Sequence, residues 1–180
     1  MTLPTLGKLT SFRALDRPDL LARSVAEALN GWPHADAVAV VEIDPELADT
    51  AALCAAYDLP MSASANCVVV MGKRAGTERI AGCVVRADTH ADVNSTIRRL
   101  LDVRKASFHS HDRAVEETGM EYGGITPVGL PADWRVLVDA GCVDIDVAVI
   151  GSGLRRSKLL LPGSDLARLP EAEVVAGLAH

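Results

Sequence analysis

The chain has 180 residues, 49% of them apolar and 23% charged, with a formal net charge of −6. That length suits one domain, which buries roughly 70% of the surface its unfolded chain would expose and needs no disulfide or metal staple. The acidic balance opposes tight binding along a nucleic-acid backbone such as DNA, and aromatic residues at 3% argue against a base-stacking surface.

In chain order, Asp16 before Pro18 reads as a helix start, and Leu20, Leu21, Val25, Ala28 and Leu29 supply its apolar stripe up to Asn30-Gly31. Ala37 to Ile43 reads as a buried strand. Pro45 opens a second helix carrying Leu47, Ala51, Leu53, Cys54 and Tyr57. Cys67 to Met71 and Ile80 to Val85 are apolar strands, joined by a hairpin turn over Gly72-Lys73-Arg74-Ala75-Gly76. Asp92 caps a helix to about Leu101, and Lys105 to Phe108 is a short strand. Asp112 caps a helix that Gly119 ends. Strands follow at Val136–Asp139, Val147–Ile150 and Lys158–Leu161, then a short helix near Asp165–Leu169 and a strand at Val174–Val175. Hairpins and crossovers together predict an α+β chain with mixed strand directions.

Residues 1–10 lack the charged, apolar, small-residue order of a signal peptide, and no apolar run reaches the ~18 residues of a spanning helix. Neither leader nor membrane span is expected. Cys54, Cys67, Cys83 and Cys142 form no CxxC pair and read as reduced, buried thiols of a cytoplasmic protein. The sequon Asn94-Ser95-Thr96 then reads as chance.

Two Gly-rich segments stand out. In Gly123-Gly124-Ile125-Thr126-Pro127-Val128-Gly129-Leu130, glycine permits close approach to the backbone and Pro127 holds Thr126 extended. Such a loop can aim N–H groups at a carbonyl or oxyanion; its plain alternative is a connecting loop. Gly151-Ser152-Gly153 follows a strand, but Arg155-Arg156-Ser157 leads into another strand, so dinucleotide and P-loop readings fail on context. It is either a tight turn or a second pocket wall, with Arg155, Arg156 and Lys158 offering charge. Arg98, Arg99, Arg104 and Lys105 are a solvated face or a contact for a short RNA end. His109-Ser110-His111-Asp112 lacks a partner cluster at metal-ligand spacing and reads as a polar helix start. No Ser-His-Asp set is recognisable, and buried structural cysteine is commoner than a cysteine nucleophile.

The order of Ile43-Asp44-Pro45, Asn66-Cys67-Val68-Val69-Val70, Ala87-Asp88, Asp92, Arg104-Lys105-Ala106-Ser107-Phe108, Glu116-Glu117-Thr118-Gly119, Gly123–Pro127 and Gly151-Ser152-Gly153 resembles the YbaK/ProX (YbaK/EbsC) family. These are free-standing relatives of the prolyl-tRNA synthetase-associated editing domain. The resemblance runs from about Val38 to Val175, and its most specific piece is the loop after Thr118-Gly119. It implies an α+β fold, a mixed, barrel-like β-sheet with surrounding helices, over residues 37–180. Residues 1–36 would be an N-terminal helical extension packed on it.

The resemblance also implies a trans-acting aminoacyl-tRNA deacylase that hydrolyses the ester of mischarged tRNA. Its partners would be the acceptor end of that tRNA and an aminoacyl-tRNA synthetase; no metal or organic cofactor is implied. The ester is already activated and water is the nucleophile, so the protein supplies a small pocket, donors and positioning. On this reading Asn66, Gly123 and Gly124 are catalytic, and Ile125, Thr126, Pro127, Gly151, Ser152, Gly153 and Lys158 bind substrate. Arg98, Arg99, Arg104 and Lys105 would touch RNA. Gly124→Val should abolish deacylation and leave the fold largely intact.

One position departs from the family. Its characteristic lysine stands where this chain has Asn66, which offers a neutral amide with two donors. Lys73, in the hairpin turn, and Lys158, far along the chain, are the possible substitutes. A non-catalytic binding or regulatory module using the same pocket is the alternative. A hydrolase of some non-RNA ester is a third reading.

Overall fold

The computed structural model describes residues 2–180. It begins with a strand, β1 (Ser11–Arg13), two 3₁₀ turns at Ala14–Asp16 and Pro18–Leu20, and α1 (Arg23–Asn30). The helix expected from Asp16 therefore starts later, because Leu21 and Ala22 are extended. Val25 and Leu29 form its buried stripe. β2 (Ala39–Glu42) follows, buried at Ala39, Val40 and Val41. Pro45 opens only a 3₁₀ turn, capped by the Asp44 side chain, and the helix proper is α2 (Thr50–Tyr57). Extended Asp49 separates the two.

β3 (Ala65–Arg74) and β4 (Thr77–Arg86) make a hairpin longer than the sequence predicts. Its turn is only Ala75-Gly76, both at positive φ, the geometry that matches strand twist in a two-residue turn. Gly72 lies inside β3, where a β-carbon would press on Val103 and the Lys105 carbonyl. The Asp92 carboxylate accepts from the N–H groups of Ser95 and Thr96, as expected of a cap. A π-helical turn, Val93–Ile97, then runs into α3 (Arg98–Leu100).

Next come β5 (Ala106–Phe108) and α4 (His111–Thr118). The cap of α4 is Ser110, not Asp112: the Ser110 hydroxyl accepts from the Arg113 N–H at 3.3 Å. Gly119 ends that helix in the left-handed conformation. β6 (Arg135–Asp139), α5 (Ala140–Val143), β7 (Ala148–Gly151), β8 (Ser157–Leu161), α6 (Gly163–Leu166) and β9 (Ala172–Val175) complete the chain.

The strands form two sheets, β1-β2-β8-β7 and β5-β3-β4-β6-β9. The first is antiparallel; in the second, β4–β6 and β6–β9 are parallel. This is the expected mixed α+β architecture, but the barrel-like sheet is corrected to two open ones. Among the described residues their backbones pair only at the isolated parallel bridge Ser64–Val149, so the ladder does not close.

The main core packs α1 against both sheets through Val25, Leu29, Val40, Val138, Ile150 and Leu159. Residues 2–36 are woven into it: β1 pairs with β2, and Leu20, Val25 and Leu29 are fully buried. Met1 of the expected extension lies outside the described residues.

Candidate active site

A cavity of about 340 Å³ opens at the seam between the sheets. Asn66, Cys67, Val68 and Val69 line it from β3, and Gly151 and Lys158 from β7 and β8. Ala48, Asp49 and Thr50 close it at the start of α2; Tyr122, Gly123 and Ile125 close it from the glycine loop. Phe108, His109, His111 and Ala114 complete the wall.

The two Gly-rich segments pack directly on each other. The Gly153 N–H donates to the Gly124 carbonyl at 2.8 Å, and the Glu121 N–H donates to the Gly153 carbonyl at 2.8 Å. A β-carbon on Gly151 would lie 2.7 Å from the Ile125 carbonyl oxygen. Neither segment tolerates a side chain at this contact, which is why both are glycine-rich.

Of the residues expected at the site, Asn66, Gly123, Ile125, Gly151 and Lys158 line this cavity. The others form its supports. The Gly124 N–H is already given to the Glu121 carbonyl at 2.9 Å, so it is not free for an oxyanion. A β-carbon there would sit 2.8 Å from the Leu154 backbone, so Gly124→Val would displace the paired loop rather than spare the fold. Thr126 is fully buried and its hydroxyl has no partner. Pro127 faces a separate apolar cavity beside Trp32 and Trp134. Ser152 is fully buried, with its hydroxyl 2.7 Å from that of Ser157, and Gly153 packs on Ala22. Arg98, Arg99, Arg104 and Lys105 are exposed outside the cavity, although Lys105 immediately precedes β5, whose Phe108 is on its wall.

Lys158 holds the central cation. It is only 8% exposed, and its Nζ donates to the Gly123 carbonyl at 3.1 Å. Burial, with Arg155 nearby, pushes its ammonium down to about 8, while Asp49 pulls it partly back. It therefore stays mostly protonated at neutral pH. Lys158 is far from Asn66 in sequence, yet both line one cavity because β7, the edge strand paired with β8, meets the start of β3 at the seam. Asn66 is exposed, and its carbonyl oxygen accepts from the Thr50 hydroxyl at 3.1 Å. Lys73, the other substitute considered, instead pairs with Glu78 at 3.4 Å.

Around these walls stand further residues outside the expected catalytic and substrate-binding set, Arg155, which the sequence offers only as charge, among them. Arg155 donates to the Tyr122 and Pro45 carbonyls at 3.1 Å each, tying the glycine loop to the entrance of α2. His109 is buried, with Nε2 3.2 Å from Glu117 and its ring edge-on to Trp134. Glu117 in turn pairs with Arg113, which clamps Glu78 at 2.8 Å. That guanidinium holds the Glu78 carboxyl down at about 2. Cys67 is the cysteine on the cavity wall, and burial pushes its thiol far above the ordinary range, away from thiolate chemistry. All four cysteines are free thiols. Among the described residues no group of three or more His, Cys, Asp or Glu is placed to hold a metal, and no helix is long and apolar enough to cross a membrane.

Comparison with solved structures reproduces this fold. The hypothetical protein APE2540 superposes with a TM-score of 0.75 at 19% identity, covering 88% of this chain and all of the other. A structure described as a candidate trans-editing enzyme for prolyl tRNA synthetase gives 0.73 at 20% identity, covering 86% of this chain and 94% of the other. No curated protein matches the chain. The sequence model of the aminoacyl-tRNA editing domain matches residues 44–169, more than half of the chain, and the chain belongs to that family.

Proposed function

We propose that the protein is a trans-acting deacylase that hydrolyses the ester of mischarged tRNA, with Lys158 supplying the cation that Asn66 does not. The observation that carries this reading is the buried Lys158 Nζ, hydrogen-bonded to the Gly123 carbonyl in the cavity that Asn66 also lines. One of its three N–H donors is used there, leaving two for substrate. The ester carbonyl lies between Lys158 and the backbone at Gly123 and Ile125. Water attacks it, the ammonium stabilises the developing oxyanion, and the acyl–oxygen bond then breaks, releasing the amino acid and the ribose hydroxyl, whose oxygen takes up the proton the water has lost. Asn66, steadied by Thr50, orients the ester or ribose through its amide N–H groups. Asp49 and the tRNA's own ribose hydroxyl are the polar groups beside the attacking water. Family membership and the likeness to a candidate trans-editing enzyme for prolyl tRNA synthetase support mischarged tRNA as substrate and a synthetase as its source.

The test is release of amino acid from a panel of mischarged tRNAs by wild type, Lys158→Gln and Asn66→Lys. A charge-assisted hydrogen bond is worth ~1.5–3 kcal/mol, so Lys158→Gln should lose roughly tenfold to a hundredfold in rate. Full activity in Lys158→Gln would remove Lys158 from the mechanism. Asn66 itself favours a second reading, a binding module evolved from an editing enzyme. Saturable binding without turnover by wild type, and turnover gained in Asn66→Lys, would establish that reading instead. Silence from all three proteins would reject the deacylase.

A further inference from the structure

The chain has two Trp, two Tyr and two Phe. Trp32 and Trp134 are buried core residues. Tyr57 packs on the core, and its hydroxyl accepts from the Asp44 N–H. The Phe12 ring carries the Arg17 guanidinium 5.1 Å from its centre. The two most exposed aromatics, Phe108 at 61% and Tyr122 at 54%, are both on the wall of the candidate active-site cavity. A third ring, His111, stands 4.8 Å from Tyr122 on the same wall. Phe108 ends the edge strand β5 and also borders an adjoining groove of about 490 Å³, which shares Asn66 and Val68 with the cavity.

A chain poor in aromatics has thus placed its most exposed rings around one opening. Neither ring is needed to fill the core. What such rings offer is a π-face, and every nucleobase has one to stack on it. The placement of that base rests on the deacylase reading. An ester at Lys158 and Asn66 puts the base of the terminal nucleotide one ribose away, at the rim. Arg104 and Lys105, exposed just before β5, lie on the chain leading to that rim, as a phosphate contact requires.

We infer that Phe108 and Tyr122, with His111 behind Tyr122, form a stacking platform for the terminal nucleobase of the RNA acceptor end. The low aromatic content that argued against a stacking surface reflects a platform only one base in extent.

The test uses a hairpin RNA with a single-stranded CCA end and the same hairpin with an abasic 3′-terminal nucleotide. Binding is measured to wild type, Phe108→Ala, Tyr122→Ala and Phe108→Tyr, and the same proteins are assayed on mischarged tRNA. Both side chains are exposed, and thermal melts verify that the variants fold. Each alanine variant should bind the intact hairpin roughly 5- to 100-fold more weakly. Removing the base should cost wild type a similar factor and the alanine variants little more, and Phe108→Tyr should restore binding. Equal binding by all proteins to both hairpins overturns the platform. So does deacylation by wild type that the alanine variants match, which leaves the deacylase reading standing. Base-dependent binding through Phe108 without any turnover upholds the platform and rejects the deacylase. Failure of wild type to bind either hairpin overturns the platform, and overturns the deacylase as well only when mischarged tRNA is not turned over.

Discussion

At the scale of single residues, Lys158 stands where stability and function pull apart. An unfolded lysine titrates near 10.5, whereas burial brings Lys158 to about 8 in the folded protein. Between those values the unfolded chain holds a proton that the folded chain has lost, so stability rises with pH across that window. Below it, the fold carries a buried ammonium at a cost on the order of 3 kcal/mol. Lys158→Met should therefore melt higher than wild type at pH 7, with the gap closing toward pH 10.5, while activity is lost. Urea melts at pH 7 and pH 10 measure this, and a Lys158→Met protein less stable than wild type at pH 7 would contradict it. On the proposed mechanism the same proton governs turnover: enzymatic deacylation, corrected for spontaneous ester hydrolysis, should decline as pH rises through about 8. Lys158→Arg, whose cation persists, should move that decline upward if it retains activity.

At the scale of elements, the site depends on two glycine segments held together by backbone alone. Because a β-carbon at Gly124 would lie 2.8 Å from Leu154, Gly124→Ala should act on stability as well as on activity. Overpacking of this kind costs roughly 1–3 kcal/mol, a fall of about 2–12 °C in melting temperature for a chain of this size. A calorimetric melt unchanged by Gly124→Ala would show that the two loops can part freely. Thr50→Val makes the contrasting case. Thr50 is half-buried at the helix entrance, and its hydroxyl holds Asn66 at 3.1 Å. Its loss should lower kcat/KM by roughly two- to tenfold with little change in melting temperature. A larger loss of stability than of activity would make the contact structural.

At the scale of the whole molecule, the cavity exists because two open sheets meet without closing. Asn66 is carried by the five-stranded sheet, Gly151 and Lys158 by the four-stranded one. Residues 2–36 belong to this assembly: β1 extends the smaller sheet, and Leu20, Val25 and Leu29 have no exposure beyond 1%. A protein lacking residues 1–36 would bare that apolar surface. It should fail to fold cooperatively, which circular dichroism and a urea melt would register. A soluble, cooperatively melting fragment would show that residues 37–180 fold without the first 36.

Much of this was legible in the chain. Short apolar runs announced β2, β3, β4, β6, β7 and β8, because apolar periodicity and burial are local signals. Gly119 ended its helix as expected, since backbone freedom is written in residue type, whereas the two glycine segments could be read either as plain turns or as pocket walls until Gly123, Ile125 and Gly151 met at one cavity. The family, too, could be read from ordered motifs. What sequence could not carry was proximity. Ser11 to Arg13 gave no strand signal and became a strand only by pairing with β2. Ser64 and Val149 touch without completing a ladder, and that single bridge decides between a barrel and two sheets. Lys158 looked remote from Asn66 because distance along a chain says nothing of distance across a seam; only the packing of β8 beside the cavity, and the water it excludes, made that lysine the central cation of the site.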